Sequence, residues 1–242
     1  MEKKNLDFLE NIKIAHRGLW NYEYPENSIG AFERAIDKGI PIEFDIHLLK
    51  DDTLVVFHDD NLKRMTNKDI LLKTCTYNDI KDIKLNNSNY HIPTLEEVLN
   101  LVDGKVMIDI ELKTDVDGFR ICEVLTKYLD KYKGKFIVKS FNPFYIWWFR
   151  MYRPEFIRGL LVSKLKKKKL NNFFKYALYN MWFNFLAKPD FIAFNFKNLP
   201  NKRIEKLRKR NIPILLFTVK EKDIINYKNY SGWLYEEEQK LK

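Results

Sequence analysis

An α/β fold of the (β/α)8 TIM-barrel class is the architecture that this sequence of 242 residues predicts. Three observations lead to it. Short apolar, β-branched runs recur along the whole chain, helix-compatible stretches separate most of them, and eight such units suit the length of one small barrel. Strands that alternate with helices form right-handed crossovers and a parallel sheet. We therefore expect a single domain over residues 1–242, without a repeat or a linker.

The predicted barrel strands are short runs rich in Val, Ile, Leu and Phe. They lie at residues 12–16, 41–49, 105–112, 136–141, 159–163, 191–196, 213–219 and 232–236. Helix start and stop signals flank the stretches between them. Ser28 could N-cap a helix in the stretch 28–39, and Gly39 follows its last turn. Gly104 does the same for a second helix-compatible stretch, 95–104.

One strand-like run breaks the alternation. Residues 54–60 (LVVFHDD) follow strand 41–49 after only four residues, whereas a parallel crossover needs roughly a dozen. The two runs therefore form an antiparallel hairpin, which returns His58 and Asp59 to the carboxyl end of the barrel. The hairpin and the residues after it form an insertion, approximately 47–93, between the second and third barrel strands.

Charge and apolar patterning restrict the location and the partners. Residues 131–222 carry 23 basic and 4 acidic side chains, and residues 1–130 carry 17 and 25, which suggests one face that meets an anion. The N-terminal sequence lacks an apolar signal region, and no apolar run reaches the ~18 residues that span a bilayer. Cys75 and Cys122 show no metal or redox spacing. We expect a cytoplasmic protein with reduced thiols.

Acidic side chains alternate with apolar ones on two neighbouring strands. Glu43 and Asp45 share one face of strand 41–49, and Asp109, Glu111 and Lys113 share one face of the third strand and its end. The apolar face suits packing against outer helices, which turns the acids toward the barrel axis. Acids that converge there lose hydration and repel one another unless something compensates their charge.

Two explanations of these acids remain open at this point. A hard divalent cation such as Mg²⁺ or Ca²⁺ prefers carboxylate oxygens and would tolerate the cluster. A salt-bridge network with Arg17 and Lys113 would also tolerate it. Because two strands carry the same inward acids, the pattern favours the metal.

Two histidines end neighbouring strands beside charged residues. His16 ends the first strand and His58 ends the returning hairpin arm, so both should face the same end of the barrel. A lone histidine there is more often structural, but a pair of imidazoles can supply the general base and the general acid of a hydrolysis. His47 lies deeper in the hairpin with no predicted partner, and His91 precedes Pro93 in a loop.

Several short motifs occur together in a meaningful order. HRG (16–18), PENS (25–28), EFD (43–45) and VFHDDNLKRMT (56–66) resemble motifs of the glycerophosphodiester phosphodiesterase family, and so do IPTLEEVL (92–99), IDIELK (108–113), SFNP (140–143) and LLFTV (215–219). The resemblance covers most of the chain in the right order and is loose over 144–212.

The resemblance implies a role for each matching residue. His16 and His58 match the catalytic histidines, and the metal-binding acids correspond to Glu43, Asp45 and Glu111. Arg17 and Lys113 match groups that meet the substrate phosphate, whereas the residues that line the site are Glu26, Asn27, Asp59 and Phe217. The family hydrolyses glycerophosphodiesters to sn-glycerol 3-phosphate and an alcohol, with Ca²⁺ or Mg²⁺, on a TIM-type barrel.

Four positions depart from the family pattern. The hairpin tip is Asp51-Asp52 without a glycine, Phe217 replaces a tryptophan, Asp109 replaces a common asparagine, and the final strand ends in residues 235–237 without the usual Thr-Asp/Asn-x-Pro. None removes a metal or histidine position. The departures leave the released alcohol open.

A basic and aromatic region follows the middle strands. Residues 143–190 hold 14 of the chain's 36 aromatic residues, together with Lys164 and the lysines at 166–169, and segment 173–187 is apolar nearly all round. Contact with an anionic membrane at the inner membrane face, packing under a loop and a homodimer contact all remain open. No nucleic-acid-binding motif occurs, so no nucleic-acid partner is expected. A peripheral lysophospholipase D-type enzyme and a non-catalytic phosphodiester-binding barrel are the alternative functions.

Overall fold

A computed structural model describes residues 4–114, 118–164 and 171–237. The chain forms two compact units. Among the described residues, one unit comprises Ile14–Ile137, and the other comprises the N-terminal residues up to Lys13 together with residues 138–237. The lysines at 166–169 lie outside the described residues.

The first unit contains the elements that carry most of the sequence motifs. In chain order these are β1 (Ile12–His16), α1 (Ile29–Asp37), β2 (Ile42–Leu48), β3 (Leu54–Val56), α2 (Lys63–Thr66), α3 (Tyr77–Ile80), α4 (Leu95–Val102), β4 (Ile108–Leu112) and α5 (Arg120–Leu129). β2 pairs in parallel with both β1 and β4, and it pairs with β3 in the antiparallel sense. The hairpin predicted from the four-residue connection is therefore present.

The second unit alternates strands and helices along the rest of the chain. Its elements are β5 (Phe136–Ser140), α6 (Pro143–Tyr152), β6 (Arg158–Val162), α7 (Asn172–Tyr179), α8 (Asn184–Ala187), β7 (Phe191–Asn195), α9 (Lys202–Arg208), β8 (Ile214–Lys220) and β9 (Gly232–Glu236). β5 through β9 pair in parallel, each with the next.

The strand order confirms the predicted fold class. It runs β1-β9-β8-β7-β6-β5-β4-β2-β3 with a further β1–β2 pairing, which is the order of a (β/α)8 barrel with β3 as an extra antiparallel strand. β3 ends at Val56, four residues before the end of the strand-like run 54–60, and among the eight barrel strands the largest difference in bounds is at β4, which begins at Ile108 rather than at 105. Gly104 adopts a positive φ of 73°, and Lys105 donates its N–H to the carbonyl of Val102, so a turn occupies the predicted start.

The turn after β1 is fixed against the first turn of α1. Ser28 N-caps α1 as predicted, because its Oγ accepts the N–H of Ala31 at 3.2 Å. Leu19 donates its N–H to the carbonyl of Ala31, and Gly18 has a φ of +79°. A Cβ at Gly18 would lie 2.8 Å from that same carbonyl oxygen. The HRG turn thus needs its glycine for both conformation and space.

The segment after the hairpin has an apolar core of its own. Phe57, Leu62, Met65 and Leu72 are buried together with residues from α3 and the loop before α4. The hairpin tip dispenses with glycine because Asp52 itself adopts the left-handed conformation, with a φ of +61°. This core holds α2 and the histidine that ends the hairpin in fixed positions.

No helix within the described ranges is long and apolar enough to cross a membrane.

Candidate active site

Three buried carboxylates converge on adjacent parallel strands of the first unit. Glu43 and Asp45 lie on β2, and their register partners on β4 are Asp109 and Glu111. Glu43, Asp45 and Glu111 each offer an oxygen to a group in which these atoms all lie within 4.8 Å of one another. The alternation of side chains therefore places the acids on one face, as the sequence predicted.

The donor set fits a hard divalent cation. Oxygen ligands of Mg²⁺ or Ca²⁺ lie about 2.0–2.6 Å from the ion, so two ligands of one ion are at most about 5 Å apart. The separation of 4.8 Å among Glu43, Asp45 and Glu111 lies within that limit. All three donors are carboxylates, which are the ligand type that these cations prefer.

Lys113 compensates part of the negative charge of this cluster. Its Nζ lies 2.7 Å from Asp45 Oδ1 and 2.6 Å from Glu111 Oε1. Burial lowers the pKa of Lys113, but the two carboxylates outweigh burial and hold it above its ordinary value. Burial alone raises the pKa of Asp45, whereas Lys113 and Arg17 hold it well below its usual range. Both groups are thus charged at neutral pH, and the salt-bridge network that the sequence left open is also present.

Arg17 and Asn27 bind the carboxylates from the turn after β1. The backbone N–H of Arg17 donates to Glu43 Oε2 at 3.1 Å, and its Nε lies 3.4 Å from Asp45 Oδ2. The side-chain amide of Asn27 donates to the same Asp45 oxygen at 3.0 Å. Both residues have a positive φ, +60° and +56°, and Asn27 N–H donates to the Arg17 carbonyl. The left-handed turns aim both side chains at β2.

The two predicted histidines lie at strand ends in this unit. His16 is the last residue of β1, where its register partner is Glu43, and it is buried. His58 follows β3, and its Nδ1 lies 2.5 Å from Asp59 Oδ1. The expectation that His47 has no partner is wrong: it is fully buried, and its Nε2 lies 3.3 Å from the carbonyl oxygen of His58. His47 thus supports the backbone that carries His58.

An unpredicted arginine connects the second histidine to the turn after β1. Arg64, on α2, donates from Nε to Asp59 Oδ2 at 2.6 Å and from Nη2 to Glu26 Oε1 at 2.6 Å. Glu26 Oε1 also accepts from Arg17 Nη1 at 2.6 Å. A continuous network of hydrogen-bonded side chains therefore runs from His58 through Asp59, Arg64 and Glu26 to Arg17.

This network of side chains keeps Asp59 and Glu26 ionised. Burial raises the pKa of Asp59, but hydrogen bonds with His58 and Arg64 lower it far more. Burial likewise raises the pKa of Glu26, and Arg64 and Arg17 together bring it below its ordinary value. The only sequence signal for Arg64 was its place in the motif VFHDDNLKRMT, six residues after His58.

Phe217 belongs to the second unit. It lies on β8, is partly buried, and makes an edge contact with Phe141 at a centroid distance of 6.1 Å. Its role in lining the site stays a prediction.

Carboxylates outnumber cationic side chains in this site. The acids described above are Glu26, Glu43, Asp45, Asp59, Asp109 and Glu111, and the lysine and arginines are Arg17, Arg64 and Lys113. Glu26 and Asp59 are partly exposed and pair with Arg64, whereas Glu43, Asp45 and Glu111 are buried together. A bound cation would stabilise such a buried group of carboxylates, so the cluster suggests a metal site in addition to the salt-bridge network.

Comparisons with known proteins identify the family of the chain. The model of the glycerophosphoryl diester phosphodiesterase family matches residues 16–234. The chain is 44% identical over 112 residues to a glycerophosphodiester phosphodiesterase of Bacillus altitudinis, covering 43% of this chain and less than half, 45%, of that protein. It is 35% identical over 164 residues to a glycerophosphodiester phosphodiesterase of Caldanaerobacter subterraneus, covering 63% of this chain and 67% of that protein.

A solved structure shares the fold. A phosphodiesterase of Oleispira antarctica, determined in complex with the product sn-glycerol-3-phosphate, matches with a TM-score of 0.79 and 20% identity, and the match covers 94% of both chains.

Proposed function

Because the chain belongs to the glycerophosphoryl diester phosphodiesterase family, we propose that it hydrolyses glycerophosphodiesters to sn-glycerol 3-phosphate and an alcohol with a divalent cation. The observation that carries this proposal is the convergence of three buried carboxylates within 4.8 Å on β2 and β4. β2 pairs with β1, which ends in His16, and with β3, which precedes His58. A phosphoric diester hydrolase needs charge compensation for the phosphate and two groups that exchange protons.

Glu43, Asp45 and Glu111 are the proposed ligands of a Ca²⁺ or Mg²⁺ ion. When bound, such an ion neutralises the phosphodiester oxygens and stabilises the charge that builds up at phosphorus. Asn27 supports this ligand set because its amide holds Asp45 Oδ2 at 3.0 Å and thereby fixes the orientation of that carboxylate.

Arg17 and Lys113 are the proposed partners of the substrate phosphate. Both are cations that already contact Asp45, and both stay protonated across the neutral range. Arg17 is held at its base by the bond from its N–H to Glu43 and at its tip by Glu26, so its guanidinium does not need to be ordered when substrate binds.

His16 and His58 are the proposed proton-transfer groups. One imidazole takes the proton of the nucleophile, and the other protonates the departing alcohol. The nucleophile is water, or it is the 2-hydroxyl of the substrate's glycerol, which forms a cyclic phosphate that water then opens to sn-glycerol 3-phosphate. Asp59 Oδ1 lies 2.5 Å from His58 Nδ1, which favours the tautomer with a proton on Nδ1 and leaves Nε2 for chemistry. Either histidine can serve as the base in this geometry.

A substrate panel with and without EDTA tests the proposal. Glycerophosphocholine, glycerophosphoethanolamine, glycerophosphoglycerol and a lysophospholipid are incubated with the protein. The sn-glycerol 3-phosphate from the three diesters is measured by a coupled dehydrogenase, and the lysophosphatidate from the lysophospholipid is measured by mass spectrometry. We expect release from at least one glycerophosphodiester, loss of release with EDTA, and recovery with excess Ca²⁺ or Mg²⁺. A folded protein that turns over none of them would be the non-catalytic barrel.

Lysolipid cleavage is the second candidate function. It is supported by the exposed aromatic side chains of the second unit, among them Phe173 and Phe185. Greater turnover of the lysophospholipid than of any water-soluble diester would favour it.

A cytoplasmic location is part of the proposal. Cys75 and Cys122 are both free and buried, which suits a reducing compartment. Homodimer formation and the lack of a nucleic-acid partner stay predictions.

A further inference from the structure

Four large aromatic side chains of the second unit point into solvent within one short segment. Phe173 and Tyr176 lie on α7, Trp182 lies in the connection to α8, and Phe185 lies on α8; their exposed fractions are 66%, 57%, 44% and 75%. We call these four residues the aromatic patch. Trp182 is its centre, because its ring makes T-shaped contacts with Phe173 at 5.8 Å and with Tyr176 at 5.7 Å.

The patch is the outer face of a segment whose inner face is packed. Ala177, Met181 and Ala187 are buried, and Phe183 contacts Phe144 of α6 at 5.6 Å. The guanidinium of Arg150, also on α6, donates to the carbonyl of Leu186 at 2.7 Å. The segment is thus anchored by its inner residues, and the four exposed rings contribute little to that anchoring. Exposed aromatic rings that cluster in this way mark a surface that meets another apolar phase.

The part of the sequence that contains the patch is strongly basic. Residues 171–210 contain nine lysines and arginines and only two acids, Asp190 and Glu205. Both acids are already neutralised: Asp190 pairs with Lys4 at 2.7 Å, and Glu205 pairs with Arg208 at 2.8 Å. The charge that remains on residues 171–210 is therefore positive.

Two basic side chains are tied directly to this segment. Arg203 donates to the carbonyl of Asn180, which follows the last residue of α7. The ammonium of Lys164 lies 5.8 Å from the ring centroid of Tyr179. Lys188, which follows α8, is exposed. Basic side chains thus lie next to the segment that carries the exposed rings, both in sequence and in space.

We propose that the aromatic patch, with the lysines and arginines of residues 171–210, docks on the surface of an anionic lipid bilayer. Tryptophan, tyrosine and phenylalanine insert at the level of the lipid headgroups, and basic side chains beside them bind anionic phosphates. The centre of a protein–protein interface is depleted of lysine, so a cluster of rings among lysines and arginines fits a lipid surface better than a second copy of the chain. Docking brings a peripheral protein to membrane-derived substrates without a spanning helix.

Vesicle co-sedimentation tests the proposal, with vesicles of equal parts phosphatidylglycerol and phosphatidylcholine and with vesicles of phosphatidylcholine alone. We expect binding to the anionic vesicles, much weaker binding to the neutral ones, and weakening by added salt, because the basic residues supply part of the attraction. Equal binding to both vesicle types, or no binding to either, overturns the proposal.

A double variant, Phe173→Ser with Phe185→Ser, removes two exposed rings of the patch. We expect its partition coefficient on anionic vesicles to fall by about tenfold or more, because each ring loses apolar area that the bilayer would bury. The matched control is Tyr22→Ser with Ile225→Ser, which removes exposed side chains of 71% and 59% exposure outside the patch. We expect that control to bind as the unchanged protein does.

The same variants separate lipid docking from other occupants. If sedimentation velocity shows a dimer that the Phe173/Phe185 variant dissociates while vesicles do not bind, the patch is a contact between two copies. If the patch variant keeps its full binding to anionic vesicles and binds single-stranded RNA as tightly, the basic residues act alone. Either result overturns the proposal. Lipid binding does not depend on turnover, so an inactive protein that sediments with anionic vesicles still supports it.

Discussion

Asp59→Asn is the most informative single change to the proposed proton-transfer machinery. Asp59 Oδ1 lies 2.5 Å from His58 Nδ1, and its other oxygen accepts from Arg64 Nε at 2.6 Å. An asparagine keeps the shape of this residue but has one oxygen. Because Arg64 can only donate, the amide oxygen stays with Arg64 and the NH2 group faces His58. Nδ1 must then accept a hydrogen bond, which places the imidazole proton on Nε2.

The size of the effect follows from the bond that is lost. A hydrogen bond to a charged group contributes about 1.5–3 kcal/mol, which corresponds to roughly 10- to 150-fold in rate. We expect kcat/KM for the preferred glycerophosphodiester to fall by that factor.

Asp60→Asn is the matched control. Asp60 is the next residue, it is exposed, and its backbone carbonyl accepts the N–H of Leu72. The same substitution there removes one negative charge close to the site but leaves the pair of His58 and Asp59 intact. An unchanged kcat/KM in Asp59→Asn, or an equal loss in Asp60→Asn, would refute the role of this pair.

Three further predictions concern the first unit. His16→Ala should abolish turnover and leave the circular dichroism spectrum unchanged; a folded variant with undiminished phosphodiesterase activity contradicts the assignment of His16. Ser28→Ala removes the N-cap of α1 and should lower the free energy of unfolding by about 1 kcal/mol in a urea titration, and an unchanged midpoint contradicts the capping role. The pKa values of Glu26 and Asp59 are lowered in the folded protein, so their pairing with Arg64 stabilises it above about pH 4, the ordinary carboxyl value, and this contribution is lost as pH falls. Arg64→Met should therefore cost roughly 1 kcal/mol near neutral pH, since the arginine is half-exposed, and less in acid; an equal cost at both pH values contradicts the linkage.

The strands and the acidic cluster were predictable from local patterns. Alternation places Glu43 and Asp45 on one face of β2 whatever the rest of the chain does, and the parallel register then brings Glu111 beside Asp45. The cap at Ser28 was predictable for the same reason, because it depends on residues within one turn. These features are encoded by neighbours in sequence.

The pairing of the charged groups was not predictable in this way. Arg64 reaches Glu26 across 38 residues, and α2 is placed by the apolar core of the insertion rather than by its own four residues. The sequence likewise placed Lys113 beside the acids of β4 and left a salt-bridge network open, but it did not indicate that the ammonium would join Asp45 to Glu111. Contacts of this kind depend on how separate segments pack.

Segment 173–187 was predictable from the sequence only in part. Because the segment is apolar nearly all round, its sequence left three roles open: packing under a loop, a homodimer contact and lipid contact. The structure divides it into α7 and α8, and Asn180 follows the first helix while Asn184 begins the second. The break lets one set of rings pack inward and leaves Phe173, Trp182 and Phe185 outside.

Reversible dependence of turnover on a divalent cation tests the central claim most directly. The protein is stripped with EDTA, and turnover of glycerophosphocholine, or of whichever diester is preferred, is measured while Ca²⁺ or Mg²⁺ is titrated back, in parallel with Glu43→Gln. We predict no turnover in the stripped protein, saturable recovery with the cation, and a half-activating concentration at least about tenfold higher in the variant. Full activity of the stripped protein, or identical titration curves for the two proteins, would contradict the claim that these carboxylates hold a catalytic cation.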